Sequence, residues 1–125
     1  MDHFSALIEE FKGLDNFDRY QNILDWANHS PVLPKDKCVE RNLIPGCASN
    51  LWINIDDNII KSEADAVITK GLAAMFCDLF NNFTVEESKL FDPKMITKLG
   101  FVLSPSRSNG MVNLIFKLKE IKSGH

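Results

Sequence analysis

The chain has 125 residues, the size of a single domain, and a chain this long buries roughly two-thirds of its unfolded surface, enough for a core without staples. It is 45% hydrophobic and 25% charged, which argues against a disordered tail, a collagen-like repeat and a membrane protein. Basic residues number 14 against 17 acidic ones, a net charge of −3, so no basic excess is available to neutralise a phosphate backbone and nucleic acid is not an expected partner.

In chain order, Phe4, Leu7, Ile8 and Phe11 recur at helical spacing, with Gly13 as the stop. The first residues hold no cationic region followed by an apolar run, so neither a secretory nor a transit signal is expected. Asp15 or Asn16 caps a second helix whose stripe is Phe17, Tyr20, Ile23, Leu24 and Ala27, ending near Ser30 because Pro31 follows. A polar connection runs from Leu33 to Asn42. Leu51–Ile55 and Asn58–Ser62 flank Asp56-Asp57 and read as an antiparallel hairpin, to which Arg41–Ile44 adds a third strand.

From Ala64 to Phe80 the chain is apolar on nearly every side, the pattern of a central buried helix. Gly71 within it costs about 1 kcal/mol against alanine, tolerable where another element packs closely. Thr84-Val85-Glu86-Glu87 has the capping-box pattern of a short helix, and Asp92-Pro93 opens another that Gly100 closes. Met111, Leu114, Ile115, Leu118 and Ile121 stripe a last helix. Residues 1–125 thus predict one α+β domain, a small three-stranded antiparallel sheet packed with helices. Ser123-Gly124-His125 are left out of that pattern.

Three cysteines, an odd number without regular spacing, make a poor disulfide framework and suit a reducing, cytoplasmic compartment. Cys47 stands out by its setting. Pro45-Gly46 forces a turn just before the thiol and a strand begins just after it, which places the sulfur on a loop held by a sheet. Gly46 also leaves backbone space for a second molecule. From the residues alone, a reactive thiol and an ordinary loop cysteine both fit this position.

Cys77 falls inside the buried helix and reads as packing; Cys38 lies in the charged connection and reads as a bystander sooner than as a thiol that resolves an oxidised Cys47. Their spacings match no common zinc site, and His3, His29 and His125 sit near helix ends or termini, so no metal is expected. Arg107 reads as a solvated arginine at a helix start, Asp65 as an N-cap or first-turn acid, and Trp26 and Trp52 as core.

Four segments, in order, resemble the SufE family of sulfur acceptors for cysteine desulfurases: Phe17–Trp26, Asn42–Trp52 with Pro45-Gly46-Cys47, Ala64–Leu72, and Leu103–Gly110. The resemblance implies an α+β fold and Cys47 as acceptor thiol. It implies persulfide transfer from a SufS- or CsdA-like desulfurase, stimulation of that enzyme, and relay to iron–sulfur scaffold proteins. Pyridoxal phosphate would reside on the partner, and the chain would need no cofactor of its own. Gly46, Ser49, Asp65 and Arg107 are implied as supports of the acceptor loop or its thiolate, in a monomer or weak homodimer. This chain departs from the family at Ala48 and Asn50, where glutamines are usual, and in a shorter hairpin. The competing expectations are a desulfurase-binding adaptor that carries no sulfur and an IscU-like cluster or zinc scaffold.

Overall fold

In the computed structural model, which describes residues 2–124, the first two helices lie where the apolar spacing places them: α1 is Asp2–Phe11 and α2 is Asn16–His29. Asp15 caps α2, its Oδ1 accepting from the Asp18 N–H at 2.8 Å, and Ser30 ends it ahead of Pro31. The buried stripe of α2 is narrower than expected. Ile23 and Ala27 are buried, but Phe17 is 69% and Tyr20 43% exposed. Beside Tyr20 the elements part, leaving a cavity of about 220 Å³ shared with Ile68 and Phe101.

Strands β1 (Leu51–Asp56) and β2 (Ile59–Ala64) pair antiparallel, in a register running from Leu51 opposite Ala64 to Asp56 opposite Ile59. Asp57 (φ 53°) and Asn58 (φ 67°) turn the chain, and positive φ at both positions matches the right-handed twist of a tight hairpin. Among the described residues the sheet has two strands, not three. Glu40–Asn42 winds into a 3₁₀ turn, after which the chain meets β1 in one bridge, Leu43 opposite Trp52. Pro45 lacks the N–H that would extend the ladder, and Gly46, at φ 80°, turns the chain away.

Helix α3 (Val67–Asn82) packs against α2, β2 and the last helix and is buried on most sides. It starts three residues later than expected because Ala64 still belongs to β2. A methyl group at Gly71 would overlap the Ile23 carbonyl, so the glycine lets the backbones of α2 and α3 touch. The capping box of α4 (Val85–Leu90) forms as expected: the Glu87 N–H donates to Thr84 Oγ1 at 3.1 Å, and the Thr84 N–H donates to Glu87 Oε1 at 2.9 Å. Pro93–Leu99 is 3₁₀ rather than α-helical and ends at left-handed Gly100. Helix α5 (Pro105–Lys122) starts at Ser104, whose Oγ accepts from the Arg107 N–H at 3.2 Å, and buries Met111, Leu114, Ile115, Leu118 and Ile121. Phe4, Phe80, Phe83 and Phe91 close one part of the core, with Phe91 edge-on to Phe4 at 4.9 Å and to Phe80 at 5.4 Å. The class is α+β, helices on a small antiparallel sheet. No helix among the described residues is long and apolar enough to cross a membrane.

Candidate functional site

The loop of residues 45–50 leaves the sheet at the single Leu43–Trp52 bridge and returns to it at the start of β1. Its base is closed by backbone: the Ile44 N–H donates to Leu51 O at 2.8 Å. Asp65 closes it a second time. The Asn50 N–H donates to Asp65 Oδ1 at 3.0 Å, and the Asp65 N–H donates back to Asn50 O at 3.2 Å. Asp65 is therefore not the cap of α3, whose N-cap is Ala66 without a side-chain bond; it secures the loop instead. Ser49 Oγ lies 3.5 Å from Oγ1 of buried Thr69, a long contact at the edge of hydrogen-bond range.

The tip of the loop rests on α5. Asn113 Nδ2 donates to Pro45 O at 2.8 Å and Asn109 Nδ2 to Gly46 O at 3.4 Å. Cys47 is half-buried, packed at the margin of the core, and its Sγ occupies the place where a side chain on Gly110 would stand. Space at Gly46 is not open for a second molecule, as its sequence setting suggested. A Cβ there would come within 2.7 Å of Asn113 Nδ2, so the α5 amides already fill it. Asn109 and Gly110 end the last of the four resembling segments but carried no role there, and Asn113 lies outside them. The visible signal was two asparagines four residues apart astride a glycine, on one helix face.

Burial pushes the Cys47 thiol up, and the Arg107 guanidinium, in the first turn of α5, pulls it partly back. Burial dominates in this conformation, so the seated thiol is held protonated. The other two cysteines differ. Cys77 is 4% exposed within α3, and burial pushes it up to about 12 despite a hydrogen bond from Ser62. Cys38 is raised by burial and then by Glu63 and Asp36, and its Sγ lies 3.7 Å from Leu33 O. All three thiols are free. His3 and His29 are exposed and His125 lies outside the described residues; Trp26 and Trp52 are half-buried rather than core.

A cavity of about 640 Å³ opens beside α5 between Leu72, Phe76, Phe101, Met111 and Phe116. No residue of the Cys47 loop lines it.

The fold and the loop together define an α+β domain that holds one thiol on a clamped loop against its last helix. The chain belongs to the SufE family: the family model, described as the Fe-S metabolism associated domain, matches residues 5–122. It is 27% identical to an uncharacterized SufE-like protein of Rhizobium meliloti, over 99% of this chain and 97% of that one. It is 29% identical to SufE-like protein 1, chloroplastic/mitochondrial, of Arabidopsis thaliana, over 86% of this chain but 30% of that longer protein. A solution structure of a hypothetical protein from Thermus thermophilus shares the fold, with a TM-score of 0.60 at 17% identity, covering 95% of this chain and 92% of that one.

Proposed function

We propose that this chain is a sulfur acceptor in iron–sulfur metabolism, with Cys47 as the thiol that carries the sulfur. The observation that supports this most is the contrast among the three cysteines. Cys77 is locked in the core, Cys38 lies among carboxylates that oppose its ionisation, and Cys47 alone sits on a loop beside a cation. A thiolate is the attacking species in such exchanges, so a loop sulfur beside Arg107 suits the task.

The donor is a persulfide on the cysteine of a pyridoxal-phosphate cysteine desulfurase of the SufS or CsdA kind. The Cys47 thiolate attacks the outer sulfur of that persulfide and a new S–S bond forms on Cys47. The donor's S–S bond breaks and its cysteine leaves as a thiolate, so no oxidant or reductant is consumed. The pyridoxal phosphate stays with the desulfurase, and the acceptor needs no cofactor. Relay to an iron–sulfur scaffold repeats the exchange in the forward direction.

Seated, Cys47 is partly covered and burial raises its pKa against the pull of Arg107; a lifted thiol would be free of that burial. Gly46 supplies the turn, Asp65 and Ser49 hold the base, and Arg107 favours the anion. Among the described residues no group of three or more His, Cys, Asp and Glu side chains converges as a metal site requires, which favours the carrier over a cluster or zinc scaffold.

Desulfurase turnover with added protein separates a carrier from a passive adaptor. Wild type should raise turnover, Cys38→Ser should match it, and Cys47→Ser should lose the stimulation. Full stimulation by Cys47→Ser would sink the carrier reading.

A further inference from the structure

The two ends of the Cys47 loop are held in different ways. At the base, the Ile44–Leu51 backbone bond and the paired Asn50–Asp65 bonds extend the frame of the sheet. At the tip, the bonds come from two side-chain amides near the surface, Asn113 to Pro45 O and Asn109 to Gly46 O. Water competes for such bonds, and each shifts an equilibrium by only about two- to tenfold. The tip can lift while the base stays in place.

The fit between tip and helix is reciprocal. Gly110, between the two asparagines on α5, leaves the hollow that Cys47 Sγ fills, and Gly46 leaves room for the two amides. A side chain at either glycine would collide with the partner element. The loop tip therefore has one defined seat, made by a missing Cβ on each side and fastened by two amides.

We infer that Asn109, Gly110 and Asn113 form a latch that holds Cys47 in its seat, and that breaking the two amide bonds is the step that presents the thiol to a partner. Asn109 and Asn113 are positioning residues; they act through the loop and not on the sulfur. The purpose of the latch rests on Cys47 being the acceptor, but the latch itself belongs to the free chain and is testable without a desulfurase.

The test is alkylation of the free protein by iodoacetamide from pH 6 to 10, with each cysteine followed by peptide mass. The Asn109→Ala/Asn113→Ala variant should label Cys47 about fivefold faster at neutral pH, equivalent to about 1 kcal/mol of lost latching. Its pH midpoint at Cys47 should fall toward that of an ordinary thiol. Arg107, the charged group that acts on this thiol, is unchanged, so the shift reports burial alone. Labelling of Cys38 and the thermal unfolding midpoint should stay at wild-type values. Gly110→Ala, which evicts the sulfur without removing an amide, should reproduce the faster labelling; if it fails to fold, the double variant decides.

Wild-type labelling and pH midpoint at Cys47 in a normally folded double variant would overturn the latch. So would a parallel rise at Cys38 with a lowered unfolding midpoint, which is the mark of general loosening. Faster Cys47 labelling in a variant whose wild-type parent gains no sulfur from a desulfurase and cysteine would uphold the latch and sink the acceptor reading.

Discussion

Cys77 and Cys47 are free thiols of one small chain, and the regions that hold them are built on opposite terms. Cys77 sits in a helix buried on most sides, its thiol hydrogen-bonded by Ser62. Packing holds it in place, and the cavity it borders beside Ser62 and Ala74 is only about 70 Å³. Cys47 sits at the tip of a loop with a closed base, seated by shape and two amide bonds. Packing holds a residue permanently, since leaving means opening the core. Surface hydrogen bonds hold it conditionally, because water or a partner can replace them. A sulfur that must be sheltered and then surrendered belongs in the second kind of site.

The sharpest break of this contrast is in stability. Phe91→Ala, which empties the point where Phe4, Phe80 and Phe83 meet, should cost about 3–5 kcal/mol in urea unfolding. Cys47→Ser should stay within about 1 kcal/mol of wild type. Comparable losses for the two would mean that the loop is part of the core after all.

A smaller effect sharpens the same contrast through pH. The Cys77 thiol is pushed up to about 12 in the folded chain from an ordinary 9.0, so the unfolded chain loses its proton first. Its contribution to stability is complete below pH 9 and is lost as pH rises from 9 toward 12, at about 1.4 kcal/mol per pH unit. Above pH 9 the unfolding curves of wild type and Cys77→Ala should converge or cross, because only wild type carries this loss. Curves that stay parallel would show that Cys77 is not shielded as the core packing implies.

What the sequence made legible was local. The Asp15 cap, the Thr84–Glu87 capping box, the left-handed stop at Gly100 and the turn ahead of Cys47 are each written within a few neighbouring residues, and each formed. What stayed hidden depends on elements far apart in the chain. Asn109 reaches Gly46 across 63 residues and Asn113 reaches Pro45 across 68, and no pattern near Cys47 announces either. Asp65 reads as a helix cap because it precedes a helix, but its carboxylate accepts from the Asn50 N–H across the loop.

The third strand failed for a related reason. Residues 41–44 have strand character, but the 3₁₀ turn Glu40–Asn42 takes the first two of them, and Pro45-Gly46 after them leaves room for one bridge. Phe17 and Tyr20 have the periodicity of a buried stripe, yet the stripe is covered at Ile23, where the backbone of α2 meets Gly71 of α3, and is open toward the start of the helix. Periodicity reports which face a helix offers; where the neighbouring element stops decides how much of it is covered.

On the proposed function, Cys47 alone carries sulfur. This is tested most directly by intact and peptide mass after incubation with a cysteine desulfurase and cysteine. The expected result is one added sulfur atom, mapped to Cys47, removed by reductant and absent from Cys47→Ser. Sulfur mapped to Cys38, or retained by Cys47→Ser, would contradict it.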